Sequence, residues 1–161
     1  VVLAVKPQVM ADVCRDIAPV VQNTRPLMVS IAAGLTADTL DGWLGGGLPL
    51  VRVMPNTPSL VGKGAAGLFA NAEVKDKQKK MVESVFESIG SALWVEDENL
   101  LHAVTALSGS GPAYFFLMLE ALEETATEAG IARENWPSRP WQEPPKWPRE
   151  ASTTPASSSA T

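Results

Sequence analysis

Five short apolar runs alternate with longer segments of helical period, and this alternation leaves the chain few architectures. The runs cover residues 1–5, 27–31, 50–54, 65–70 and 92–95 and read as strands. Between them, Val9, Val13 and Ile17 recur at helical spacing over residues 8–18, where Pro19 is expected to stop or kink the helix. Thr36 is placed to cap a short helix running to Leu44, which Gly45-Gly46-Gly47 ends. Met81, Val82, Val85, Phe86 and Ile89 make one face of a helix over residues 74–89. Further helices are expected over 97–107 and from Gly111 to about Glu128. Strands alternating with helices in this way predict an α/β fold, a parallel or mixed sheet with helices on its faces.

Such a sheet places the loops after Val5, Ile31 and Met54 on one edge, where open α/β sheets bind ligands. Lys6, Ala32, Ala33, Pro55 and Asn56 are therefore expected to line one crevice. The small side chains of Ala32-Ala33-Gly34 leave room for a flat ring, and they equally suit a tight strand-to-helix turn. Asn56, held between Pro55 and Pro58, offers an amide donor and acceptor suited to a carboxamide, or serves the turn itself. Lys6 can meet a phosphate or a ribose, or simply be solvated.

Ser108-Gly109-Ser110-Gly111-Pro112-Ala113-Tyr114 combines two small-residue pairs with a proline ahead of a long apolar helix. Read as a helix N-terminus, it presents unpaired N–H groups to a closely approaching ligand. The helix that follows carries Tyr114, Phe115, Leu117, Met118, Leu119 and Leu122, too many for one narrow stripe. It is expected to lie between layers or at a subunit contact.

Composition excludes several classes. A net charge of −5 argues against non-specific nucleic-acid binding. One cysteine, Cys14, permits neither an intramolecular disulfide nor a cysteine-based zinc site, and it fits a cytoplasmic protein. Nothing activates that thiol in sequence, so it is expected to be packing. His102 is the single histidine and has no partner in sequence, so no metal site is expected. No apolar run reaches membrane-spanning length. Gly62-Lys63-Gly64 lacks the flanking residues of a phosphate loop. From residue 135 the pattern breaks: six of the 13 prolines and three of the 5 tryptophans fall in 135–161, which reads as disordered, extended or out of frame.

Five motifs occur together and in order: Ala4-Val5-Lys6-Pro7-Gln8, Ser30-Ile31-Ala32-Ala33-Gly34, Val53-Met54-Pro55-Asn56-Thr57-Pro58, Gly64-Ala65-Ala66-Gly67, and residues 103–114 ending in Ser108-Gly109-Ser110-Gly111-Pro112-Ala113-Tyr114. In this combination the chain resembles pyrroline-5-carboxylate reductase over residues 1–134. The resemblance implies a partial Rossmann-type NAD(P)-binding domain at 1–97 and the first helices of an all-α dimerisation domain at 98–134. It implies reduction of 1-pyrroline-5-carboxylate to L-proline with NADPH or NADH, and a homo-oligomer in the intact family. It further implies that Ala4, Val5, Lys6 and Pro7 contact the nucleotide and that Ala32, Ala33 and Asn56 lie near the nicotinamide. Ser108, Gly109, Ser110 and Gly111 would border the substrate site, and no catalytic residue is implied.

The family's Gly-rich pyrophosphate turn and its later substrate loop are not found here, so the chain is expected to be a fragment without activity of its own. Two other readings stand beside this one. One is a related dehydrogenase for a hydroxy acid, which usually needs an interdomain lysine; no lysine occurs between Lys80 and Lys146. The other is a non-catalytic binding or dimerisation module built on the apolar helix.

Overall fold

A computed structural model describes residues 1–131; the expectation for 135–161 lies outside them. The described chain is α/β. Its five strands are β1 (Val2–Leu3), β2 (Met28–Ser30), β3 (Leu50–Met54), β4 (Gly64–Ala70) and β5 (Gly90–Trp94). They lie side by side in the order β1-β2-β3-β4-β5. β1, β2 and β3 run parallel, β4 is antiparallel to β3, and β5 is parallel to β4. The helices are α1 (Pro7–Thr24), α2 (Ala37–Trp43), α3 (Asp76–Glu87), α4 (Leu100–Val104) and α5 (Gly111–Glu128). The chain forms a compact unit over Val1–Phe116 and a second from Leu117 onward.

Alternation along the strands divides the core between the two faces of the sheet. Leu3, Met28 and Leu50 pack with Met10, Cys14 and Val21 of α1 and with Leu40 of α2. Val29, Val51, Val53 and Leu68 point the other way and pack with Val82 and Phe86 of α3. α4 lies over β4 where Gly67 has no side chain: a Cβ there would stand 2.9 Å from Val104 and 3.1 Å from Leu101.

Four local expectations are corrected. Pro19 does not stop α1, which continues to Thr24. Pro19 is exposed, and it withholds the N–H that an α-helix would give the Arg15 carbonyl. Beyond it, buried Val21 and two bonds from Gln22 Nε2, to the carbonyls of Leu44 and Gly46 at 2.9 Å each, hold the last turn. The Arg25 guanidinium adds a bond to the Gly47 carbonyl. The core face of α1 is set by Met10, Cys14 and Val21, and Val9 is exposed. On α3, Val82 and Phe86 are buried, but Met81 and Val85 line an open cavity along the sheet.

The fourth correction concerns residues 97–111. No loop separates two helices there. Backbone helix runs on from α4 through a π-helical turn, Thr105–Ser110, into α5. In an α-helix the N–H of residue 112 would serve the Ser108 carbonyl. Residue 112 is proline and has no N–H, and the helix widens into the π turn just before it. Ser108-Gly109-Ser110-Gly111 therefore does not present a free helix N-terminus.

One charged side chain enters the core among the described residues. Arg52 interrupts the apolar β3 and is 8% exposed. Its Nη1 donates to Glu98 Oε1 at 2.6 Å, and the same oxygen accepts the Ala37 N–H at the start of α2, also at 2.6 Å. Arg52 Nε is buried and makes no hydrogen bond among the described residues. Removing the carboxylate strands a buried guanidinium. Glu98→Ala is expected to cost about 3–5 kcal/mol in urea unfolding. The double change Arg52→Met, Glu98→Leu recovers much of that loss, because no charge is then left buried; equal losses in the two variants would refute the assignment.

Burial pushes the Cys14 thiol above its ordinary range. The fold thus prefers the neutral thiol, and its contribution is intact below the unfolded thiol's pKa of about 8.5. It is lost as pH rises through the shifted value. A thiol-reactive probe should label the native chain far more slowly than the denaturant-unfolded chain, and the unfolding midpoint should fall as pH rises past that range. Equal labelling rates would show that Cys14 is not sequestered.

Candidate functional site

The parallel order β1-β2-β3 brings three strand ends side by side. Ile31 N–H bonds the Leu3 carbonyl at 3.2 Å, which fixes the first two ends against each other. After β1 the chain passes through exposed Ala4 and Val5 to Lys6, the N-cap residue of α1, with Pro7 opening the helix. Proline at that position loses no intrahelical bond. After β2, Ala32 is buried in the α1/α2 cluster, and its N–H bonds Ser30 Oγ at 3.3 Å. Ala33 and Gly34 are the exposed part of this turn. Gly34 adopts φ +77 and has nothing within 4 Å of the space a Cβ would take, so the surface is open. Thr36 then caps α2, accepting the Thr39 N–H at 3.2 Å as its sequence position suggests.

After β3 the chain turns at Pro55, and Asn56 stands opposite Ala65 of β4. Its Oδ1 accepts the Ala65 N–H at 2.8 Å. Its Nδ2 donates to the Ser108 carbonyl at 3.0 Å. Asn56 thus serves the turn at both ends of its amide, with one amide hydrogen left uncommitted. The contact to the π turn was not legible, since it joins residues 52 apart in sequence.

A cavity of about 1000 Å³ extends along the α3 face of the sheet. Asn56, Gly109 and Ser110 line one end of it, together with Pro55 and Met54. Val29 and Phe86 are among its apolar walls. The structure therefore brings Asn56 and the Gly109–Ser110 pair to one cavity. Lys6, Ala32 and Ala33 belong to the strand-end edge and do not line it. Ser108 is half-buried and held by its own hydroxyl, which donates to the Val104 carbonyl at 2.9 Å. Thr105 bonds back to Leu101 in the same way at 2.7 Å. Gly111 begins α5. His102 is exposed on α4.

Among the described residues, no three His, Cys, Asp or Glu side chains gather to hold a metal ion. No described helix is long and apolar enough to cross a membrane. On α5, Tyr114, Phe115, Phe116, Leu117, Met118 and Leu122 are exposed, and Leu119 is half-buried.

A sequence model of the pyrroline-5-carboxylate reductase dimerisation region matches residues 98–136. Pyrroline-5-carboxylate reductase of Pseudomonas aeruginosa is 48% identical over 134 residues, covering 83% of this chain and 49% of the relative. The enzyme of Pisum sativum is 38% identical over 134 residues, with 83% and 48% covered. Among solved structures, pyrroline-5-carboxylate reductase from Coxiella burnetii matches with a TM-score of 0.76 and 45% identity, over 83% of this chain and 49% of that one. The Plasmodium falciparum enzyme, solved with NADP bound, matches with a TM-score of 0.77 and 37% identity, over 83% and 52%. The chain spans about half the length of the curated relatives it matches. Through the stretch these relatives share with it, the chain belongs to the pyrroline-5-carboxylate reductase family.

Proposed function

We propose that this chain carries part of the NAD(P)H site and part of the substrate border of an enzyme that reduces 1-pyrroline-5-carboxylate to L-proline. The observation that carries the reading is the row of parallel strand ends, β1, β2 and β3, which sets Lys6, Ala33 and Asn56 along one edge of the sheet. The exposed Ala33-Gly34 turn fits a flat ring, because no side chain fills the space beside Gly34. When bound, the nicotinamide supplies the hydride that adds to the imine carbon, while a proton goes to the ring nitrogen.

The remaining roles belong to the chain itself. Ala4, Val5, Lys6 and Pro7 would hold the nucleotide, with the Lys6 ammonium toward its phosphate or ribose. Ala32 would contribute backbone and Ala33 its exposed surface near the nicotinamide. Asn56 retains one amide hydrogen for the carboxamide. Ser108, Gly109, Ser110 and Gly111 would border the substrate, and no residue here is assigned as the proton donor. Residues 1–97 would form the nucleotide-binding part and 98–134 the start of the helical domain, a division supported by the match at 98–136. Exposed apolar side chains on α5 support pairing with a second copy. Neither NADPH nor NADH is favoured by the residues described, and we place the protein in the cytoplasm.

The test is NADPH fluorescence titration of this chain, with and without 1-pyrroline-5-carboxylate. The parent chain is expected to bind the nucleotide. Lys6→Glu should weaken binding about tenfold or more, the effect of losing a charge-assisted contact. An unchanged dissociation constant removes Lys6 from the site. No binding by the parent chain under either condition overturns the reading for this chain, whatever longer relatives do.

A further inference from the structure

The bond between Asn56 and Ser108 has a cause in the sequence of the helix it reaches. Pro112 cannot donate to the Ser108 carbonyl, and Asn56 Nδ2 donates to that carbonyl at 3.0 Å. The other end of the same amide accepts the Ala65 N–H at 2.8 Å. β3 and β4 pair antiparallel up to Met54 opposite Gly67. Continued by two residues, that register sets Asn56 against Ala65, so the side-chain oxygen takes the next N–H of the ladder. Asn56 is half-buried, where an unserved carbonyl or N–H costs more than it would in water.

We infer that Asn56 is a positioning residue. It replaces the donor that Pro112 lacks and so fixes the π turn bearing Ser108, Gly109 and Ser110 against the end of β3. The strand-end edge and the proposed substrate border are then held in register by one amide. This goes beyond a contact with nicotinamide, for which one amide hydrogen remains. Its bearing on catalysis rests on the function proposed above, but the bond itself does not.

Residue-resolved hydrogen exchange on this chain, without nucleotide or substrate, tests it directly. Asn56→Ala should speed exchange about tenfold at the Ala65 amide and through the π turn, residues 105–111. Adding Pro112→Ala returns an N–H for the Ser108 carbonyl. The double variant should restore protection in the π turn and leave Ala65 as fast as in the single variant. That split separates a missing-donor role from general loss of packing, which would not be rescued at one reporter alone. Unchanged exchange in the π turn on Asn56→Ala, or no rescue by Pro112→Ala, overturns the inference. If Asn56→Ala unfolds the chain, refolding in the double variant supports the inference and continued unfolding rejects it. Since no cofactor enters the measurement, its failure is distinguishable from failure of the reductase reading.

Discussion

A single carboxylate oxygen organises the described fold. Glu98 Oε1 accepts both the Arg52 guanidinium from the middle of the sheet and the first N–H of α2. Taking an arginine out of water is unfavourable in itself, and its partner must be correctly placed to offset the cost. Placing Glu98 means placing the segment that leads into α4. α4 can then lie close on β4 because Gly67 offers no side chain to Leu101 or Val104. The π turn follows α4 directly, so its position over the end of β3 descends from the same contact. By contrast, the Asp12–Arg15 pair on α1 is exposed and adds little.

Much of this architecture could be read from local pattern. β3 was legible at both ends because an apolar run stops at Pro55, and α2 because Thr36 offers a cap that the structure uses. Elements with local causes are visible in a sequence. Others have causes at a distance. Pro19 reads as a helix stop or kink, and the contacts that carry α1 past it come from residues 44–47. Arg52 stands out as a charge in an apolar strand, yet no local rule connects it to a carboxylate 46 residues later. Met81 and Val85 satisfy a helical face by spacing, but whether they meet a core or a cavity depends on what lies across the sheet.

The candidate site divides along the same line. Strand order follows from the alternation of strands and helices, so the shared edge of Lys6, Ala33 and Asn56 could be anticipated. The side-chain commitments could not. An amide between two prolines suits a turn and a ligand equally, and the structure shows it serving the turn from both ends. The Ser-Gly-Ser-Gly segment suggested a helix start because proline is favoured in a first turn. It is instead the middle of a continuous helical path. The proline that suggested a beginning lies just past the wider turn, inside that path.

That reversal changes what the glycines and serines of this segment accomplish. At a free N-terminus they would offer unpaired N–H groups to an anion. Here the vulnerable group is the Ser108 carbonyl, because proline removes the donor that an α-helix would give it. A carbonyl without a donor invites a side chain from elsewhere in the fold, and Asn56 occupies that role here. The helix therefore depends on the sheet edge for one of its own hydrogen bonds. An alanine at 112 would make the helix self-sufficient and would release it from that edge. Proline makes the position of the turn a property of the fold and not of the helix alone. A site formed between a strand-end edge and a helical border requires that kind of coupling.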